Sequence, residues 1–329
     1  MNKILRIGTR DSKLALWQAE QVQNLLAQKN IPSELVPIKS EGDLDLVTPL
    51  YAMGVEGVFT KTLDAYLLSN KIDIAVHSMK DVPTQLAQGI VQGAVLKRAN
   101  YKDLFVYKNE SVYKKYFLSN ADEQRVVEGI VATGSIRRKA QLLHKYPKLT
   151  VENLRGNVQT RMKKLYENDN WDAAIFAAAG LERLGYVDGN QIKSPSFAGV
   201  GEAIDWMLPA PAQGAIMIVC REDDKETFEK IHSLNNEQTA LCTKIERDFL
   251  KTLMGGCSTP ISALAEIKND KIIFKGDILS PDGKEKLEIE KEAIVSNADG
   301  LGISAAKELL AQGAGEIVKA IRGNLPQSK

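Results

Sequence analysis

The sequence predicts an α/β protein of three domains, the first two built on open sheets and the third a small α+β domain with an antiparallel sheet. Three observations carry this. Short apolar runs alternate with helical periodicities twice, over residues 3–99 and again from about 100 to 184. A lone apolar run, Ile216-Met217-Ile218-Val219-Cys220, follows the second block and is expected to return to the first sheet. From about 236 the order changes to one helix, three strands and a last helix. The expected boundaries are 1–99 plus 212–234, 100–211 and 235–329.

In chain order, residues 3–9 read as a strand, and Thr9-Arg10-Asp11-Ser12 leads into a helix capped by Asp11 or Ser12. Ala15, Ala19, Val22 and Leu26 give that helix its buried face, and Leu35–Ile38 is a second strand. Free N–H groups at such a helix start favour anions. Residues 42–58 read as a long loop, followed by a helix from Thr60 to Leu68. The strand Ile72–Val76 ends in His77-Ser78-Met79-Lys80-Asp81-Val82-Pro83, a polar cluster at the strand end where open α/β sheets place ligands.

The second block repeats the plan. Val127–Ala132 leads into Thr133-Gly134-Ser135-Ile136-Arg137-Arg138 and a helix with Ala140, Leu142 and Leu143. Val151–Leu154 closes in Arg155-Gly156-Asn157, the next helix carries Arg161, and a strand at 173–176 precedes a helix with Leu181, Arg183 and Leu184. Arg recurs at strand ends beside Gly, Ser and Thr, which points to a cleft for a polyanion. Residues 186–208 read as an extended connection without regular pattern.

In the last block, Leu241, Ile245 and Phe249 share one face of a helix over 239–253, which runs into Met254-Gly255-Gly256-Cys257-Ser258-Thr259-Pro260. Gly255 suits a helix end and Pro260 stops the helix resuming, so Cys257 is expected on a short bent loop. A lone Cys is more often a small buried hydrophobe than a reactive group. Strands are expected at 261–267, 272–279 and 286–293, with Asp299 capping a final helix that Gly313 breaks.

Composition bounds the function. The 329 residues are 44% apolar and 26% charged, with a net charge of +1, which argues against a generally basic nucleic-acid binder. Three cysteines at wide spacing fit neither a disulfide framework nor a zinc motif, and Cys220 and Cys242 read as core. The three His offer no metal pairing. A strand almost at the start and no apolar run of ~20 residues lead to the expectation of a cytoplasmic protein without a membrane segment.

Seven motifs in order carry a resemblance across essentially the whole chain. They are Arg6-Ile7-Gly8-Thr9-Arg10 with Ala15-Leu16-Trp17-Gln18-Ala19, His77 to Pro83, Ser135-Ile136-Arg137-Arg138, Leu154-Arg155-Gly156-Asn157, Ala179-Gly180-Leu181, Gln213-Gly214-Ala215 and Gly255-Gly256-Cys257. The chain resembles the hydroxymethylbilane synthase (porphobilinogen deaminase) family. The resemblance implies two lobes of type II periplasmic-binding-protein layout around a cleft. It implies a dipyrromethane cofactor on a thioether to Cys257, and condensation of four porphobilinogen molecules with loss of ammonia, followed by hydrolytic release of hydroxymethylbilane. Asp81 matches the catalytic aspartate. Lys80, Thr133, Ser135, Arg137, Arg138, Arg155, Gly156 and Asn157 match cofactor-binding positions, and Arg10, Ser12, Gln18, Arg161 and Arg183 match substrate-binding ones. It further implies a monomer whose partner is porphobilinogen, with no metal and no nucleic acid.

Each pyrrole ring of such a chain carries two carboxylates, and Arg meets carboxylate in a two-point fork. The chain departs from the family at Gly54-Val55-Glu56-Gly57, where many relatives have Gly-Gly-Lys-Gly, and at Ala52, where Lys is common. Pro211-Ala212 replaces Val-Gly and is expected to stiffen a hinge; Lys13 replaces a frequent Pro, and Gly134 a Ser. Two other readings are a non-catalytic two-lobed anion-binding protein and a thiol hydrolase on Cys257. The expected lack of a signal peptide and the extra Gly-Gly-Cys domain argue against the first. The scatter of His77, His144 and His232 argues against the second.

Overall fold

A computed structural model describes residues 4–39, 60–118, 123, 126–188, 191–194, 197–253 and 259–323. The 42–58 loop with Ala52 and Glu56, and the Gly255-Gly256-Cys257 run, therefore lie outside the described residues. Three sheets organise the chain.

The first contains β1 (Leu5–Arg10), β2 (Ser33–Ile38), β3 (Ile74–Ser78), β4 (Ile90–Val95) and β12 (Ile216–Arg221), in the order β2-β1-β3-β12-β4. β1 is parallel to β2 and β3, whereas the late strand β12 runs antiparallel between β3 and β4. Both faces are covered, and the central strands β3 and β12 are buried along almost their whole length. Leu5, Ile7, Ile74 and Val76 pack on Ala19, Val22 and Leu26 of α1 (Lys13–Gln28). Ala75 and Val219 pack on Leu63 and Leu67 of α2 (Lys61–Leu68). Ser12 is the N-cap of α1, accepting from the Ala15 amide at 3.3 Å. The buried stripe of α1 carries Gln18 in place of the expected Ala15, which is only half-buried.

The second sheet runs β7-β6-β8-β5-β11-β10-β9. Its strands are β5 (Asp103–Tyr107), β6 (Ile130–Ala132), β7 (Thr150–Glu152), β8 (Ala173–Ala177), β9 (Val187–Asp188), β10 (Gln191–Ser194) and β11 (Phe197–Ala203). Helices α3 (Glu110–Phe117), α4 (Ile136–Lys145), α5 (Val158–Glu167) and α6 (Ala178–Arg183) connect or flank them. Phe105, Val131 and Ile175 face one core; Leu104, Val106 and Phe176 face the other. The expectation for 186–208 fails here. That stretch forms β9, β10 and β11, and β11 extends the sheet by pairing antiparallel with β5. Gly199 and Gly201 blunt the apolar alternation in the sequence. A Cβ at Gly199 would collide with the Tyr107 carbonyl, so close packing explains the small residue there.

The third sheet is the antiparallel meander β13 (Ile261–Lys268), β14 (Lys271–Leu279) and β15 (Lys286–Ile294). It packs against α8 (Glu237–Thr252), which follows α7 (Lys225–His232), and against α9 (Leu301–Leu309) and α10 (Gly315–Gly323). Ile245 and Phe249 of α8 are buried in this core, each contributing about 1.5–3 kcal/mol of burial. The chain kinks between α9 and α10 at Gly313, whose φ is +106°. Asp299 does not cap α9. Gly300 holds that position in the left-handed region (φ +77°), while Asp299 accepts from Lys244 at 2.9 Å. Cys220 and Cys242 are buried, and burial pushes both thiols up to about 11.

Glu246 of α8 joins the three parts. It is fully buried and accepts from both terminal nitrogens of Arg98, at 2.5 and 3.1 Å. It also accepts from the Ala212 amide at 2.6 Å and the Ala265 amide at 2.8 Å. Residues 98 and 212 lie on the two chain crossings between the first and second sheets. Ala212, in the Pro211-Ala212 departure, sits in the left-handed region (φ +62°), a strained conformation for a residue with a Cβ. Among the described residues no helix is long and apolar enough to cross a membrane, and no group of three or more His, Cys, Asp or Glu is placed to hold a metal.

Candidate active site

The site is built from strand ends of the first two sheets. In the first sheet, β1 ends at Arg10 and β3 runs into a 3-10 turn, Met79–Asp81. A cavity of about 70 Å³ there is lined by Arg10, Ser12, Leu14, Ala15, Gln18, Thr60, Val76, His77, Ser78 and Asp81. Gln18 is buried and locked to Ser78, whose Oγ lies 2.9 Å from Nε2. Burial, helped by the Arg10 charge, lowers the His77 pKa to about 4. His77 is therefore neutral near pH 7 and cannot serve as a cationic acid.

In the second sheet, β6 ends in Thr133-Gly134-Ser135, which turns into α4. Thr133 accepts from the Ser135 amide at 3.3 Å, and Ser135 is the N-cap residue. A Cβ on Gly134 would meet the Leu154 carbonyl at 2.5 Å, so this turn is seated too closely for a side chain at that position. Arg137 and Arg138 follow on the first turn of α4, and both are buried. Arg137 donates to Asp103 Oδ2 at 2.6 Å and to the Leu208 carbonyl at 2.6 Å. Arg138 donates to Asp103 Oδ1 at 2.8 Å and to the Ile175 carbonyl at 3.0 Å. Burial pushes the Asp103 carboxyl up, but the two guanidinium groups outweigh it and hold the carboxyl well below its usual range. Burial also lowers the Arg137 pKa, against the pull of Asp103.

A hydrogen-bond relay links the two sheets. Lys80 Nζ donates to Gln213 Oε1 at 3.1 Å, and Gln213 Nε2 donates to Asp103 Oδ1 at 2.9 Å and to the Tyr101 carbonyl at 2.7 Å. Lys80 is lowered to about 8, mainly by burial, while Asp81 and Asp103 pull it up and Arg138 and Arg137 push it down. Arg161, on α5, is lowered to about 10 by burial and by the Arg138 and Arg155 charges. Asp81 raises it and Arg10 lowers it further. Groups up to 151 positions apart in sequence thus act on one side chain, which places Arg10, Asp81, Arg138, Arg155 and Arg161 in one region.

Some expected site residues have other engagements. Asn157 is exposed and caps α5, accepting from the Thr160 amide at 2.9 Å, while Gly156 makes the turn before it at φ +115°. Arg183 donates to the Gly214 carbonyl at 2.7 Å and stacks its guanidinium over the Trp17 ring at 5.6 Å. Asp103 and Gln213 are polar members of the site that the sequence did not single out for a role. A buried carboxylate opposite two consecutive Arg was the available signal, but nothing local marks Lys102-Asp103 as that partner.

A group bearing several carboxylates fits this region. The Nε atoms of Arg137, Arg138 and Arg161 are buried and have no hydrogen-bond partner among the described residues. Buried donors of this kind call for acceptors. The cations gathered here outnumber Asp81 and Asp103, so added carboxylates would lower the electrostatic cost.

Comparison with known proteins bears on the same region. A family model described as "Porphobilinogen deaminase, dipyromethane cofactor binding domain" matches residues 5–229. A second, "Porphobilinogen deaminase, C-terminal domain", matches residues 240–311. Solved structures with partial likeness include the methionine binding protein MetQ, at 16% identity and a TM-score of 0.40 over 70% of this chain and 89% of that one. An ancestral cationic amino acid solute binding protein shows 12% identity and a TM-score of 0.42 over 70% and 87%. A periplasmic substrate-binding protein of an ABC transporter from Coxiella burnetii shows 14% identity and a TM-score of 0.38 over 74% and 97%.

Proposed function

This chain belongs to the porphobilinogen deaminase family, and we propose that Asp81 is the carboxylate through which it condenses porphobilinogen. The activity is that of a transferase. Four porphobilinogen molecules are joined head to tail with loss of ammonia, and hydroxymethylbilane is released by hydrolysis. The cofactor is dipyrromethane. When bound, it supplies the terminal pyrrole carbon at which the chain grows. The C-terminal match disfavours a non-catalytic two-lobed binder.

Asp81 is the acid–base group in this reading. A carboxylate at the end of β3 can pass a proton to the departing amine and then offset positive charge near a pyrrole nitrogen. Lys80, Arg137, Arg138 and Arg155 hold cofactor carboxylates, with Thr133, Ser135, Gly156 and Asn157 shaping the turns that present them. Arg10, Ser12, Gln18 and Arg161 line the substrate side. Arg183 is assigned there too, and its bond to Gly214 and stacking on Trp17 support a second task of holding the two lobes together. Cys257 is the point of covalent attachment. The lobes are assigned as 1–99 plus 212–234 and 100–211, with 235–329 as the cofactor-bearing domain, in a cytoplasmic monomer.

One observation supports this most: Asp81 and three Arg, drawn from both lobes, act together on Arg161. The test is to incubate the purified chain with porphobilinogen and follow ammonia and bilane. One ammonia per porphobilinogen consumed, with bilane accumulating, is expected. Binding of porphobilinogen without ammonia release would overturn the reading.

A further inference from the structure

The 3-10 turn that carries Asp81 is short. A backbone bond runs from the Val82 amide to the Met79 carbonyl at 3.2 Å, and the Met79 amide is tied to the Ala215 carbonyl at 3.0 Å. Carbonyls at the end of such a turn point outward and attract a cation. Arg247, from α8, supplies one. Its NH1 donates to the Val82 carbonyl at 2.9 Å and to the Met79 carbonyl at 3.3 Å; its NH2 donates to the Pro83 carbonyl at 2.6 Å. The three acceptors bracket Asp81 on both sides. The guanidinium fork fixes their mutual spacing, which a point charge cannot do.

The same helix leads, ten residues later, to Cys257. Its preceding residue, Glu246, holds both chain crossings between the lobes. Adjacent side chains of α8 thus grip the lobe crossings and the Asp81 turn. We propose that Arg247 is a positioning residue: from the helix that leads to the cofactor cysteine, it fixes the backbone of the turn that aims Asp81. This rests on the reading of Asp81 as the catalytic carboxylate. Arg247 grips the backbone on either side of Asp81, so its loss changes alignment and leaves substrate-binding side chains in place.

Arg247→Ala, Arg247→Lys and Asp81→Ala, each as cofactor-loaded full chain, test it. Misalignment of a catalytic group lowers kcat of Arg247→Ala by about 10–100-fold, while KM stays within about threefold because ground-state contacts persist. Arg247→Lys is intermediate, as an ammonium can meet fewer of the three carbonyls. A cavity of about 450 Å³ borders Arg247 and Met79, so free guanidinium at a sub-denaturing concentration partly restores kcat of Arg247→Ala and does nothing for Asp81→Ala. Faster amide exchange across 79–83 accompanies the loss. If Arg247→Ala does not fold, Arg247→Lys decides: lowered kcat at parental thermal stability supports the inference, and parental kcat overturns it. Parental kcat in Arg247→Ala with an inactive Asp81→Ala would overturn the inference alone. An active Asp81→Ala would overturn the reading beneath it.

Discussion

Replacing Asp81 with Ala is expected to lower turnover by about 10²–10⁴-fold, the usual contribution of a positioned acid–base group, with the fold retained. The fold is retained because the side chain is only half-buried and belongs to none of the apolar cores. The turn around it is held by backbone contacts, to Ala215 on one side and to Arg247 on the other. The activity is lost because, among the described residues, the other carboxylate of the site is not available for the proton. Asp103 is engaged by Arg137, Arg138 and Gln213, and its carboxyl is held ionised by the first two. His77 is neutral and buried. Asp81→Asn keeps the shape and removes the charge, so the pair separates packing from chemistry. Turnover of porphobilinogen alongside thermal unfolding is the measurement; a parental rate in either variant would remove Asp81 from the mechanism.

The second large effect is on stability. Asp103→Ala leaves the buried Arg137 and Arg138 without their shared partner, and breaking a buried ion pair from one side costs about 3–5 kcal/mol. The sign with pH follows from the direction of the shift. The folded Asp103 carboxyl is held below its usual range, so its contribution is present above the unfolded pKa of about 3.9 and is lost as pH falls from there through the lower folded value. The parent chain therefore loses stability on acidification in that window, and Asp103→Asn loses that part of the response. Denaturant unfolding at a series of pH values measures both. Parental stability and an unchanged acid response in the variants would show that Asp103 does not anchor the Arg pair.

Local chemistry made much of this legible. The Ser12 cap, the apolar face of α8, the burial of Cys220 and Cys242 and the three strands of the last sheet all follow from short-range pattern. So does the placement of Arg10, Lys80, Asp81 and Arg155 at strand ends. What the sequence hid is long-range. β11 is a strand because β5, about 95 positions away, offers it an edge, while its own glycines erase the alternation that would announce it. The Asx cap expected at Asp299 is displaced because Lys244 takes that carboxylate and Gly300 can adopt the left-handed conformation. Asp103, Glu246 and Arg247 each look ordinary among their neighbours. Their roles come from partners far along the chain, which periodicity does not encode.

We propose that a single sulfur, that of Cys257, anchors the pyrrole primer whose carboxylates these arginines hold. The intact mass of the denatured protein, purified from cells able to make the cofactor, tests it most directly. The expected result is a covalent adduct of two porphobilinogen-derived rings on the parent chain and its absence from Cys257→Ser. An unmodified parent chain, or an adduct that persists in Cys257→Ser, would contradict the claim.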